Sequence, residues 1–563
     1  MSSRTSHPRH LTRRSFLTVA AAGTLAAAFP LTPASAVGRT LRHGPLVAAT
    51  TPASSLGAHP GLLHTTGDLS YLRPRVAAGL APWSDGWARL TQNGRSSSGW
   101  QPRPLTTVVR GGTGQNYAQM YPDIHAAYQN AVRWRLGGGD AHGDAAVRIL
   151  NAWSSTQTGL AGNADRFLAS GIYGYQWANA AELVRDHPDF DVEAFRTLLL
   201  DVYHPMAEHF LTHHNGAVIT NYWANWDLAN MCAVLAIGAF ADRPDLVDRA
   251  LEYFETGAGN GSILHAVPHL HDDGLGQWQE SGRDQGHSVM GIGLMGAFCE
   301  MAWNLGVDCY GYDDNRFLKG AEYVAKYNLG HDVPFTPYTW QSGPATTAPH
   351  VGWNTQTAVS DIARGHVRPV WELVLGHYAG RRGLHAPWVE QMAATVRAEG
   401  GGGDYGSTSG GYDQLGFGTL LQSARTSPSR FEALGRPGAF LRHRGYVGRV
   451  EASVSPADDA RFRMVPGLAS SAGGRVSFES VNFPGHYLRH DAYALRLVAD
   501  DGTAQLAADA TFEPVAGLAD PSLVSFRSHN IPDRYLRDLS GTARIDVVTS
   551  AAERASATFR ESL

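Results

Sequence analysis

Two stretches of the 563-residue chain gather side chains able to do chemistry. The first, Thr220-Asn221-Tyr222-Trp223-Ala224-Asn225-Trp226-Asp227, opens a helical apolar pattern through Leu228, Met231 and Leu235. The second runs Gly276-Gln277-Trp278-Gln279-Glu280-Ser281-Gly282-Arg283-Asp284-Gln285-Gly286-His287 and also leads into a helix. Both put amides, aromatics and, in the second, an Arg/His pair at helix starts, where backbone N–H groups and the helix dipole favour an anion. Tryptophans beside amides suit stacking on a sugar ring and recognition of its hydroxyls, so Trp226, Gln279 and Glu280 are candidate sugar-binding groups. Either stretch alone reads equally well as a buried loop whose amides satisfy backbone groups. Two within one helical array point to function. Arg283 and His287 stand four residues apart and share one face if the helix has already begun. His269-x-His271-Asp272-Asp273 alternates His and Asp, but without a third, distant ligand it reads as a solvated turn, and neither a metal nor a cofactor is expected.

The elements that must position these groups are helical from about residue 56 to 423. In residues 191–211 the side chains Phe195, Leu198, Leu199, Val202, Met206 and Phe210 recur at steps of three and four. Asp191 is a plausible N-cap, with Glu193 in the first turn. Further stripes are Val147/Leu150/Trp153, Val247/Ala250/Leu251/Phe254, Ile292/Met295/Cys299/Trp303 and Val370/Leu373/Val374/Tyr378. Short breaks such as Gly137-Gly138-Gly139-Asp140 imply antiparallel neighbours, hence a helical toroid or solenoid. Polar, aromatic-rich loops at 274–286, 336–354 and 400–418 fall where a cleft would be lined.

After Thr426-Ser427-Pro428-Ser429, which reads as a linker, the pattern changes. Three copies follow of one unit: a strand around Phe431, Phe478 or Phe526, then Phe440-Leu441-Arg442-His443, Tyr487-Leu488-Arg489-His490 or Tyr535-Leu536-Arg537-Asp538, then a closing Phe462, Phe512 or Phe559. Short alternating runs with turn residues are strands, and three copies are too few for a propeller. The expected fold class is therefore multidomain: an all-α toroid followed by an all-β β-trefoil.

Composition narrows the partners. Lys+Arg 46 against Asp+Glu 51 gives −5, with 17% charged and 43% hydrophobic residues, a globular chain with no bulk charge for nucleic acid. Lys319 and Lys326 are the only lysines, which argues against a Schiff-base enzyme. Cys232, Cys299 and Cys309 exclude a disulfide-dense scaffold and a Cys₄ zinc site, and leave room for one bridge such as Cys299–Cys309. Arg13-Arg14-Ser15-Phe16-Leu17, an Ala-rich apolar run and Ala34-Ser35-Ala36 read as a twin-arginine-type export signal over residues 1–36. Its removal takes away four arginines and no acids, leaving −9. No other run reaches membrane-spanning length, so a secreted monomer without a membrane partner is expected.

The C-terminal text Ser477-Phe478-Glu479-Ser480 to Tyr487-Leu488-Arg489-His490, with Asp509-Ala510-Thr511-Phe512, resembles the arabinofuranosidase-B-type module, carbohydrate-binding module family 42. That resemblance implies a β-trefoil over residues 430–563 and an arabinose-containing glycan as partner. It implies furanose contacts from His443 and Asp459 in lobe one and from His490 and Asp509 in lobe two. Lobe three has Asp538 and Ser556 at those places, so its pocket is altered.

The two helix-start stretches, with Gly171-Ile172-Tyr173-Gly174-Tyr175-Gln176-Trp177-Ala178-Asn179-Ala180-Ala181-Glu182 and His59-Pro60-Gly61-Leu62-Leu63, resemble the alginate-lyase superfamily. The run from Glu280 to His287 looks most like polysaccharide lyase family 38. The resemblance implies an (α/α) toroid over residues 56–425, an acidic polysaccharide of glucuronan or alginate type as substrate, and Gln176 among the sugar-binding residues. Relatives often carry Asn-His where this chain has Asn221-Tyr222. β-Elimination removes the weakly acidic C5 proton of a uronate, so donors must neutralise the carboxylate, and Asn221, Asn225 and Arg283 are candidates. A base must reach C5 and an acid O4; His287 and Tyr222 are expected to share these roles, in either assignment. A net charge of −9 does not attract an anionic polymer, so arginines must outweigh it at the cleft. The alternatives are a glycoside hydrolase on arabinose-containing polysaccharide, drawing its two carboxyls from Glu280, Asp284 and Asp404, or a non-catalytic polysaccharide-binding protein.

Overall fold

Helices that are apolar on every side belong in the middle of a helical protein. Two such helices, Ala224–Phe240 and Gln285–Asn304, pack on each other at the centre of the helical region, and nearly all of their residues are buried. Further helices surround them. Pro244–Thr256 and Gly174–Glu182 pack on the first, Tyr312–Asn328 on the second, and Met120–Arg135 pairs with Asp140–Ser154 further out. Close approach here demands small residues. A Cβ on Gly171 would come within 2.7 Å of the Ala229 backbone, and one on Gly291 within 2.6 Å of the Trp278 ring. The computed structural model describes residues 59–562 except 78, 80, 383, 424–427, 471–474 and 484–485. The expected export signal lies outside the described residues. Among them, no helix is long and apolar enough to cross a membrane.

The stripe expected across residues 191–211 forms, and Asp191 caps it by accepting from the Ala194 N–H at 3.0 Å. It is not one continuous α-helix: Val192–Leu198 passes through a π turn, Leu199–Tyr203, into His204–His213. Pro205 has no N–H to give the preceding turn, and the wider π spacing accommodates it. The bridge that the sequence allowed between Cys299 and Cys309 is absent; all three cysteines are buried free thiols, and burial pushes each of them up.

From Arg430 onward the chain is a 12-stranded antiparallel sheet. Three hairpins, Phe440–Arg444 with Val447–Glu451, His486–Asp491 with Ala494–Ala499, and Tyr535–Leu539 with Thr542–Asp546, pair with one another through Arg496↔Val447, Thr542↔Arg449 and Ala494↔Arg544. The last strand, Phe559–Ser562, pairs with the first, Arg430–Ala433, so the sheet closes on itself and the edges are removed. The repeated phenylalanines meet at the centre: Phe431, Phe478 and Phe526 lie 4.9–5.4 Å apart, nearly perpendicular to one another. The helical part touches this sheet through Arg75, which pairs with Glu561 at 3.2 Å and lies on the Tyr71 ring.

Candidate functional site

The helix Ala224–Phe240 starts without a side-chain cap of its own. Its exposed N–H groups are taken by the other stretch: Gln279 Oε1 accepts from Ala224 N at 3.1 Å, and Glu280 Oε1 from Asn225 N at 2.8 Å. A carboxylate at a helix start is favoured by the dipole, so this capping brings the two distant stretches together. Glu280 is fully buried. Burial pushes its carboxyl up, opposed by Arg283 and His287, and Arg283 Nη1 donates to its Oε2 at 2.8 Å.

Asp284 caps the helix Gln285–Asn304, its Oδ1 accepting from His287 N at 2.8 Å. Its Oδ2 faces His287 Nδ1 at 2.7 Å, and Arg283 Nη2 donates to His287 Nε2 at 3.1 Å. An arginine can only donate, so Nε2 carries the lone pair and Nδ1 the proton. Burial raises the Asp284 carboxyl, but hydrogen bonds from His287 outweigh it and hold the group below its ordinary value. The imidazole is thus held in one orientation, and 38% of its side chain is exposed.

Aromatic residues wall this site. The Arg283 guanidinium lies over Trp223 at 5.3 Å, and Trp223 meets Trp340 at 4.8 Å. Trp340 belongs to the hairpin Tyr338–Gln341 with Trp353–Gln356. From the same hairpin, Tyr338 accepts from Gln279 Nε2 at 2.9 Å and donates to Asn260 Oδ1 at 3.2 Å. The structure therefore gathers Asn225, Gln279, Glu280, Arg283 and His287. Asn221 points elsewhere, with Oδ1 accepting from Gly343 N at 2.8 Å, and so anchors the loop that joins the two strands of that hairpin. Tyr222 and Trp226 form a neighbouring aromatic group with Phe210, and the Tyr222 hydroxyl accepts from Asn215 Nδ2 at 2.8 Å. Trp223 joins the two groups in sequence. Gln176 is buried below, donating to the Tyr412 carbonyl at 2.9 Å. Asn179 and Glu182, from the same motif, hold the segment after His59: Asn179 Oδ1 accepts from Leu63 N, and Glu182 Oε1 from Gly61 N.

Sequence reasoning missed Asp284 as the orienter of His287, and Tyr338 and Trp340 as wall. The spacing Asp284-x-x-His287 ahead of a helix was a readable cap signal. The hairpin aromatics had only their loop's composition to recommend them. Of the three carboxyls suited to a hydrolase, Glu280 and Asp284 are engaged on one turn, while Asp404 pairs with Arg89 at 3.5 Å. Among the described residues, no three His, Cys, Asp or Glu side chains stand close enough together to hold a metal ion.

In the β region, Asp459 accepts from Arg442 Nη2 and, at 2.8 Å, from Asn482 Nδ2, while His443 Nε2 lies 3.0 Å from Asn482 Oδ1. Lobe two repeats this: Asp509 accepts from Arg489 Nη2 at 2.9 Å and Asn530 Nδ2 at 2.7 Å, and His490 Nε2 lies 2.9 Å from Asn530 Oδ1. Asn482 and Asn530 were overlooked, although each follows its lobe's phenylalanine by four residues. In lobe three Gly435 stands at that place, and Asp538 pairs with Arg436 at 3.1 Å.

Such an arrangement, an arginine-bearing, aromatic-walled site at two helix starts followed by repeated His/Asp pockets, is that of a carbohydrate-active protein. Residues 81–333 match the family described as alginate lyase, and residues 429–561 match the alpha-L-arabinofuranosidase B (ABFB) domain. The chain thus carries an alginate lyase domain and a carbohydrate-binding module. It is 42% identical over 134 residues to an extracellular exo-alpha-(1->5)-L-arabinofuranosidase of Streptomyces avermitilis, covering 24% of this chain and 27% of that protein, so it spans about a quarter of that relative's length. Two similar solved structures are an alginate lyase from Bacteroides ovatus (12% identity, 48% of this chain, 84% of that one, TM-score 0.37) and alginate lyase A1-III from Sphingomonas species A1 (14%, 49%, 82%, TM-score 0.34).

Proposed function

We propose that this protein is a secreted polysaccharide lyase that cuts a uronic-acid-containing polymer, of glucuronan or alginate type, by β-elimination. In this reading residues 56–425 form an (α/α) toroid, residues 430–563 a β-trefoil that holds arabinose-containing glycan, and residues 1–36 a twin-arginine-type export signal. The observation that carries it is the imidazole of His287, oriented by Asp284 at Nδ1 and met at Nε2 by Arg283.

The base must take the C5 proton while positive charge stabilises the enolate-like intermediate. His287 Nε2 is the base once a bound uronate draws the Arg283 N–H away. The Tyr222 hydroxyl accepts from Asn215, keeps its own proton, and donates it to O4 as the C4–O4 bond breaks and the C4=C5 double bond forms. Arg283 faces the developing charge, Asn225, Gln279 and Glu280 brace the helix starts behind it, Asn221 fixes the hairpin loop, Trp226 offers an aromatic face to the sugar, and Gln176 supports the site from below. The test is incubation with glucuronan, polymannuronate, polyguluronate and arabinan, with ultraviolet absorbance and product sizing. Unsaturated uronate ends from one of the first three support the reading. Shortened chains without absorbance would replace elimination by hydrolysis, and unchanged chain length on every polymer would leave a binding protein.

A further inference from the structure

Two arginines of the helical region, Arg283 and Arg110, sit in different environments. Arg283 donates to Glu280 and His287 and lies 3.4 Å from Asp284, so its charge is already met by two carboxylates. Arg110 has no side-chain hydrogen bond and no ion pair among the described residues, and its Nη1 is buried without a partner. It is nevertheless firmly placed. It follows the strand Thr107–Val109, which pairs with Gly159–Ala161, and its own N–H donates to Ala161 O at 2.9 Å. The next residue, Gly111, has φ +78°, and a Cβ there would come 2.0 Å from Asn163 Oδ1, so the loop closes tightly on residues 161–163. The guanidinium lies over the faces of Tyr117 and Tyr173, 5.0 and 5.6 Å from their centroids. Tyr121 extends this wall, 6.3 Å from Tyr173 and 4.5 Å from Tyr412. The Tyr173 hydroxyl is also buried and unpartnered.

Two strong donors stand here without a protein acceptor, and each unmet buried group costs stability unless something else rewards it. Charge agrees. Asp413 and Asp165 act on Arg110 only at longer range, and Asp413 Oδ2 already takes Arg368 Nη1 at 2.9 Å. Arg166, beside Asp165, bonds only carbonyls and Asn215. Three arginines therefore face two aspartates, a local excess of positive charge on an acidic chain. The place also adjoins the proposed reaction site: Arg166 Nη2 reaches Asn215, whose amide donates to Tyr222.

We propose that Arg110 and the Tyr173 hydroxyl form an anion subsite that takes the carboxylate of a uronate residue beside the bond cut, and that Arg110 selects an acidic polymer over a neutral one. A guanidinium matches a carboxylate with two parallel hydrogen bonds. The substrate class rests on the lyase reading; the anion subsite does not.

The test is calorimetric titration of the full chain and its Arg110→Gln and Arg110→Lys variants with short uronate oligosaccharides and with the same oligosaccharides carboxyl-reduced. Arg110→Gln is expected to weaken uronate binding about 10- to 100-fold, the range for hydrogen bonds to charged groups, and to leave the reduced sugars unchanged. Arg110→Lys is expected to recover part of the loss, and on polymer the deficit is expected in KM rather than kcat. If Arg110→Gln lowers the melting temperature, the Lys variant decides by the same comparison of charged against reduced sugar. Wild-type affinity in both variants, equal weakening for both sugars, or no uronate binding by the wild type would each overturn the subsite. Arg110-dependent uronate binding without any unsaturated product would instead remove the lyase reading and keep the subsite.

Discussion

The two carbohydrate-facing regions reach similar chemistry by opposite constructions. In the β region one unit is copied, so Asp459 with Asn482 and Asp509 with Asn530 recur in nearly the same geometry, resting on a shared apolar centre of Phe431, Phe478 and Phe526. In the helical region nothing repeats. Glu280 and Asp284 each cap a different helix, and the site exists because those two helix starts converge. On the proposed function, copied pockets share a foundation yet bind separately, whereas a converged site has no part that works alone.

The sharpest way to break this contrast is His287→Ala. On the proposed mechanism it is expected to lower kcat by about 10²- to 10⁴-fold without altering the binding of arabinan fragments, measured by steady-state absorbance and titration. Tyr222→Phe should share that loss and Tyr338→Phe should not; the reverse result would transfer the acid role to Tyr338. Phe478→Ala is expected to destabilise the β region by about 3–5 kcal/mol and weaken both sugar pockets together, while elimination on soluble polymer persists, read by calorimetric melting and activity in parallel. Asp459→Asn and Asp509→Asn should each cost one binding site on arabinan, and Asp538→Asn none, because Arg436 already occupies that carboxylate.

A smaller effect separates the regions by pH. Glu399 is buried beside Glu372, its Oε1 accepting from Trp371 N and Glu372 N, while Arg397 Nε donates to Glu372 at 2.5 Å. Burial, reinforced by Glu372, pushes its carboxyl from 4.5 up to about 8. The folded state therefore keeps a proton that the unfolded chain releases, and this contribution is full below pH 4.5 and declines as pH rises towards 8. Glu399→Gln is expected to raise the melting temperature of the helical region by a few degrees at pH 8 and by nothing at pH 4.5, with the β region unmoved at both.

What the sequence determined by itself was whatever repeats or alternates. The helical stripes, the Asp191 cap and the threefold strand pattern are local in sequence, so spacing alone reveals them. The His/Asp pairs were legible because each is copied at a fixed interval. Tertiary structure decided the rest. That Arg283 would be spent on Glu280 and Asp284 while Arg110 stands unpaired depends on which helix starts and loops meet, as does the placing of Tyr222 with Phe210 and Trp226. Such meetings are set by packing between elements distant in the chain, where a few ångströms decide whether an arginine finds a carboxylate, and no residue pattern encodes that distance.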